Sequence, residues 1–258
     1  MPSVDAPYLP PRALFSPPVA WSGPRFAWLH GWLPLLAVAL SLLLDAVFGL
    51  DQRVADALYA WEGHRWALKD AFATQQLLHR GGHDASLLAW CVVFAAWVWS
   101  LHGERRREWR KPLGYLVLAT LAGTLLVAWI KSWSNMDCPW DLLRYGGERP
   151  FVGLFDTRPL GLGRARCFPA AHASAGYAWL SLYFFLGVVR PRWRWFGLLA
   201  GLTSGLVFGV AQQLRGAHFL SHDLWTLAIC WVVALALFRM FWPKPDSVGY
   251  PAQSREVR

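Results

Sequence analysis

The chain has 258 residues, of which 55% are hydrophobic and only 16% charged, and it holds 18 Trp. Soluble domains carry about 25% charged residues, so the net charge of +9 points toward a bilayer surface rather than a nucleic acid, and no nucleic-acid partner is expected. Intrinsic disorder is excluded by the apolar content; a disulfide-dense secreted scaffold is excluded by four Cys in so long a chain.

In chain order, residues 1–27 are Pro-rich and lack the short basic leader of a cleavable signal. They read as a cytoplasmic N-terminal segment. Six apolar runs follow, each near the length of about 17–25 residues that a membrane-crossing helix needs: Leu29–Leu50, Ala85–Leu101, Pro112–Lys131, His172–Val189, Trp193–Gln213 and Phe219–Trp242. Trp crowds their ends, as at Trp28, Trp32, Trp97, Trp99, Trp129, Trp133, Trp193 and Trp242. That is the depth amphipathic rings prefer. The fold class expected is an all-α integral membrane protein with a six-helix domain over 28–242 and a disordered cytoplasmic tail over 243–258.

Orientation follows from the short connections. Arg105, Arg106, Arg107, Arg110 and Lys111 lie between the second and third spans, and Arg190, Arg192 and Arg194 lie between the fourth and fifth. The tail adds Arg239, Lys244, Arg255 and Arg258. With six spans these share one face with both termini, which the positive-inside rule assigns to the cytoplasm. The loops 51–84, 132–171 and 214–218 then lie outside. In the first, Val54, Leu58, Trp61, Leu68 and Phe72 are near helical spacing, which suggests an interfacial amphipathic helix. His79-Arg80-Gly81-Gly82-His83-Asp84 reads as a solvated turn, with the lining of a site entrance on that face as its alternative, and Asp45 as either an inter-helix contact or an interfacial group. The loop over 132–171 is rich in Gly and Pro.

Ionisable residues collect at the outer ends of three spans. Lys131 ends the third. His172 opens the fourth, behind Pro169, which suits a first helical turn. Arg215 and His218 precede the sixth, followed by His222 and Asp223. Taken singly, Lys131 is a snorkelling side chain and His172 an interfacial ring. Together, two cations and two imidazoles beside helix N-termini suit a phosphate ester and acid–base or nucleophilic chemistry.

The order Lys, then Pro-x-x-His, then Gly-x-His before a last span resembles the type-2 phosphatidic acid phosphatase and vanadium haloperoxidase superfamily, in a lipid A phosphatase-like branch. Its motifs run KxxxxxxRP, PSGH and SRxxxxxHxxxD. The resemblance covers Lys131 to Asp223 by motif. It implies a helical phosphatase bundle, no cofactor and no metal. His218 would be the nucleophile that forms a phospho-histidine, His172 the general acid, and Lys131 a phosphate clamp with Arg215. The substrate implied is a membrane lipid phosphate or diphosphate, reached from the bilayer at the periplasmic face of a bacterial inner membrane.

This chain departs from the motifs at several positions. Cys138-Pro139 stands where Arg-Pro is expected, and Pro169-Ala170-Ala171-His172 lacks the Ser and the Gly. Gln212 replaces the Arg six residues before His218, and His222 stands four residues after it. Asp223 has the right chemistry on a rotated face and is favoured as the acid partner, with His222 kept in the site. Arg149, which alone retains an Arg-Pro pair, is the chosen substitute for the first-motif Arg; Arg144, Arg164 and Arg166 remain open. Cys138 and Cys167 share the outer loop, and in an oxidising compartment they are either bridged or free. A phosphotransferase using the same groups, and a catalytically degenerate protein that only binds anionic lipid, are the alternatives. A metal held by His172, His218 and His222 is disfavoured by the neighbouring cations.

Overall fold

The computed structural model describes residues 15, 17–18, 21, 23–153 and 156–243. Most of the N-terminal segment, and the tail from Lys244 onward, lie outside the described residues. Among the described residues seven longer helices organise the fold: α1 (Pro24–Phe48), α2 (Leu50–Trp61), α3 (Phe72–Ser100), α4 (Glu104–Trp133), α5 (Ala171–Val189), α6 (Pro191–Leu214) and α7 (Leu220–Phe241). All but α2 are long and apolar enough to cross a bilayer. Among the described residues there is no strand, only an isolated bridge between Leu142 and Arg149.

Burial ranks the helices. In its most apolar window α5 is 78% buried and α1 is not buried at all, so α5 is the axis of the bundle and α1 its lipid-facing flank. The side chains α1 leaves bare are the ones lipid solvates, such as Leu36, Leu40, Leu43 and Val47. Lipid tails are as apolar as Leu, so helices in a membrane associate through close packing. Here α5 and α6 do so through glycine. A Cβ on Gly201 would lie 2.5 Å from the Leu180 backbone, and one on Gly176 would lie 2.3 Å from the Gly205 nitrogen. Gly197, Gly201, Gly205 and Gly209 are all buried at four-residue spacing along α6.

The bundle has two differently built ends. At the end bearing Arg105–Lys111 and Arg190–Arg194, the core is aromatic: Trp21, Phe26, Tyr115, Tyr183, Phe184, Phe238 and Trp242. Toward the opposite end the core is finer grained, with Val127, Ala170, Ala173, Tyr177, Leu180 and Cys230. Small side chains there leave space between helices.

Two expectations for the first outer loop are corrected. The amphipathic helix stops at Trp61 because Gly63 and His64 take positive φ (79° and 56°), and its docking face is Ala55 and Tyr59 rather than Trp61, which is exposed. The segment read as a turn at His79–Asp84 is helical, so α3 begins at Phe72 and the loop ends well before residue 84. Gly82 is needed for proximity: a Cβ there would sit 2.5 Å from the Phe208 ring on α6. The first stretch of α3, Phe72–Gly81, is wound as a π-helix, a form that is rare and frequently found at functional sites.

Helix ends need partners for their free N–H groups, and two aspartates supply them in sequence. Asp45 of α1 accepts the Asp51 N–H at 2.6 Å, capping α2 across the Gly49 break. Asp51 in turn accepts the Ser221 N–H (2.7 Å) and hydroxyl (2.5 Å), capping α7 from a different helix. Burial pushes the Asp51 carboxyl up to about 6, against the Ser221 hydrogen bonds. Asp51→Ala should lower stability by about 1–2 kcal/mol, the usual value of a lost cap, in thermal unfolding of the detergent-solubilised protein. Asp51→Asn keeps an acceptor and should cost less. The folded state holds this proton more tightly than the unfolded chain does, so the contribution of Asp51 is fullest at acid pH and is lost as pH rises through about 6. Asp51→Asn should flatten that part of the stability curve; an unaltered slope would refute the assignment.

Candidate active site

A cavity of about 760 Å³ opens between α3, α4, α5 and the α6–α7 turn. Lys131 of α4, His172 of α5, and Arg215 and His218 of the α6–α7 turn all line it. Arg166, His79, His83, Gln212 and Trp140 complete its polar end, and no carboxylate is among its lining residues. Imidazoles and cations without acidic partners are what an anion requires.

The α6–α7 turn sets much of this geometry. The Gly216 N–H donates to the Gln213 carbonyl and the Ala217 N–H to the Gln212 carbonyl, each at 2.9 Å, with Gly216 at φ 69°. This is the paired closure that a left-handed glycine makes possible at a helix C-terminus. A Cβ on Gly216 would also sit 2.4 Å from Trp66. Arg215 is thereby held in place: its Nε donates to the Lys69 carbonyl (2.7 Å), its Nη1 to the Gln212 amide oxygen (3.0 Å), and its guanidinium lies over Trp140. Gln212 stands where the superfamily motif has Arg; it holds Arg215, three residues further on.

His218 is buried, and its Nδ1 lies 3.2 Å from Nδ1 of His222. One of the two must donate and the other accept. Burial first, then the Lys131 ammonium and His222, hold the His218 imidazole well below its usual range, so it stays neutral at physiological pH. The favoured partner, Asp223, is corrected here. Asp223 accepts a hydrogen bond from Gln213 on α6 and packs over Gly209, whereas His222, one turn after His218, meets it directly. Residues four apart share a helix face and adjacent ones do not, so register decides over chemistry.

His172 sits at the second position of α5, after Ala170 and Ala171; Pro169 precedes the helix instead of entering its first turn. Its Nε2 donates to the Leu78 carbonyl at 3.1 Å, and its ring packs edge-on against His79 with centroids 4.4 Å apart. A carbonyl only accepts, so the Nε2 proton is assigned and Nδ1 is left for proton exchange. The π-helical start of α3 thus orients His172.

The long loop between α4 and α5 is tied twice. Cys138 and Cys167 are joined, with Cα atoms 5.2 Å apart, and the Cys167 N–H donates to the Met136 carbonyl at 2.9 Å. Asp137 accepts from Arg149 (2.6 Å) and Arg158 (2.7 Å); burial pushes its carboxyl up, but the two guanidiniums outweigh this and hold it below the usual range. That ion pair corrects the choice of Arg149, which is committed to Asp137 and does not line the cavity. Arg166, the neighbour of Cys167, does. Its signal in the sequence was adjacency to a cysteine that closes the loop.

The six apolar helices and this cation-and-imidazole cavity define a multi-pass membrane protein built to hold a phosphorylated substrate. The chain matches the PAP2 superfamily over residues 112–246, just over half of its length, and it belongs to that superfamily. Its members are phosphatases, so this is a phosphoesterase at the coarse level. Comparison with curated proteins and with solved structures returned no match. If the loop tie holds in the purified protein, thiol labelling of the denatured chain without reductant should count two cysteines, Cys91 and Cys230, rising to four with reductant. A count of four at the outset would refute it.

Proposed function

We propose that the protein removes a phosphate from a membrane lipid, through a phospho-histidine, at the periplasmic face of a bacterial inner membrane. The observation that carries this reading is the form of the cavity. Beyond its cationic end it continues as an apolar arm past Ser86, Leu87 and Trp90 of α3 and Thr120 and Thr124 of α4. From Lys131 to Thr120 the arm runs about 16 Å along α4 at 1.5 Å per residue. Leu87 and Leu121 line it and are also exposed on the flank of the bundle. A headgroup phosphate at the basic end with a chain in the arm fits this shape; a soluble phosphate ester would leave the arm empty.

In the proposed reaction Lys131, Arg166 and Arg215 hold the phosphate oxygens. The Nδ1–H of His218 donates to Nδ1 of His222, which leaves the Nε2 lone pair of His218 to attack phosphorus. As the N–P bond forms, the bond from phosphorus to the lipid oxygen breaks, and that oxygen takes the Nδ1 proton of His172, which enters the step as imidazolium with its Nε2–H on the Leu78 carbonyl. Water then attacks phosphorus, giving its proton to His172 and releasing phosphate and neutral His218. A lipid hydroxyl in place of that water would make the protein a phosphotransferase. The basic end of the molecule, rich in Arg105–Lys111 and Arg190–Arg194, supports placing the active end outside.

One observation favours a second reading. Nε2 of His222 is buried without a hydrogen-bond partner among the described residues, so no carboxylate backs the pair, as it would in a degenerate protein that only binds lipid phosphates. Phosphate release from a panel of lipid phosphates by the purified protein separates the two. His172→Ala should slow release by about 10²–10⁴-fold, the usual value of a general acid, and His218→Ala by at least as much. Arg166→Ala should cost about 10²–10³-fold as a lost charge-stabilising donor, while Arg149→Ala should leave turnover close to that of the unaltered protein. His222→Asp should retain more activity than His222→Ala. Release that survives His218→Ala would sink the mechanism, and no release from any lipid would favour the binding reading.

A further inference from the structure

A second cavity, of about 680 Å³, lies at the opposite end of the bundle, between α1 and the faces of α5, α6 and α7. It shares no lining residue with the first. Two guanidiniums, Arg25 and Arg194, stand at its mouth, and its depth is apolar, with Leu33, Val38, Leu202 and Leu227. The polar groups inside are already satisfied by one another: Nδ1 of His30 donates to the Phe26 carbonyl (3.0 Å), and the Tyr183 hydroxyl donates to Nε2 of His30 (2.8 Å). Arg194 is not satisfied. Among the described residues its Nε is buried without a hydrogen-bond partner, and no carboxylate lies within salt-bridge distance of Arg194 or Arg25. Its guanidinium rests instead near the rings of Trp195 and Trp21, 5.4 and 5.9 Å from their centroids.

We infer that this cavity is a binding site for one anionic phospholipid of the leaflet at the basic end of the bundle, with its phosphodiester between Arg25 and Arg194 and an acyl chain in the apolar depth. An unpaired buried donor beside a second cation needs an acceptor, and in a membrane the acceptor that arrives with an apolar tail is a lipid headgroup. Basic clefts between helices on this side of a membrane protein take such headgroups. The lipid fills the gap beside α1, the helix that buries none of its apolar window, so it acts as a wedge fixing α1 to the bundle. The site is independent of the phosphatase reading, since none of its residues reaches the first cavity.

The test uses the full chain in neutral detergent, with phosphatidylglycerol, phosphatidylcholine or inorganic phosphate added. Phosphatidylglycerol should raise the thermal midpoint by several degrees and remain bound in native mass spectra, while phosphatidylcholine and inorganic phosphate do neither. Arg194→Gln and Arg25→Gln should each weaken phosphatidylglycerol binding about tenfold, the loss of one charge-assisted contact. Arg25 is exposed, so Arg25→Gln retains the fold even if Arg194→Gln does not. Lys131→Ala, at the other cavity, should leave the effect intact. Equal stabilisation by phosphatidylcholine, retention unaltered by Arg25→Gln, or loss through Lys131→Ala would each overturn the assignment.

Discussion

The short turn between α6 and α7 is the constraint on which the active end depends. Two antiparallel helices must be joined across five residues, and Gly216 allows it by taking a positive φ that closes α6 with two backbone hydrogen bonds. Other segments then fasten to this turn or to the start of α7 beside it. The Trp140 N–H donates to the Gly216 carbonyl, Lys69 offers its carbonyl to Arg215, and Asp51 caps Ser221. Loops from three separate parts of the chain are referenced to one turn, so Arg215 and His218 are fixed relative to the helices bearing Lys131 and His172. Interhelical hydrogen bonds of this kind are modest singly, but here each one also satisfies a helix end or a buried donor.

The interior asymmetry follows from side-chain size. Large rings fill the basic end, where Trp21, Phe184 and Phe238 pack edge to face and stacked, and that end is held by area and aromatic contact. Toward the other, Val127, Ala170, Ala173 and Cys230 pack around Tyr177 and Leu180, and α3, α4 and α5 leave a cleft between them. The cleft lies at the same depth as its cations, and small side chains, Ala128, Ala171, Ala175 and Ala178, line part of it on well-held helices. The glycine stripe on α6 supplies the hold by bringing α5 to backbone contact.

The spans were legible because twenty-residue apolar runs have few other uses, and the ends of those runs carried the ionisable residues that converge on the cavity. Where the reading went astray, the deciding fact was a partner far along the chain. Arg149 looked apt beside Pro150, but Asp137 claims it, and that pairing depends on how the loop folds back. Gly81-Gly82 looked like a turn because glycine usually marks one; here Gly82 makes room for Phe208 within a helix. The four-residue spacing of His218 and His222 states which ring faces which, and the carboxyl of Asp223, one place later, turns to Gln213 on α6. The spacing of Gly197, Gly201, Gly205 and Gly209 was equally readable as a packing face.

His222 changes the electrostatics of the site in a definite direction. A carboxylate at that position would stabilise a positive His218 ring, and it would also place a negative charge beside the pocket meant for phosphate. With an imidazole there, on the proposed chemistry, no acid stands behind His218, and the field of Lys131, Arg166 and Arg215 acts undiminished on a bound phosphate. In a medium where charges interact far more strongly than in water, that favours capture of the anion. The cost falls on the next step: on the proposed chemistry, the phosphorylated His218 ring has only a neutral neighbour to share its charge. Its N–P bond is then the weaker, and transfer of the phosphoryl group onward, to water or to another hydroxyl, is the step such a site makes easy.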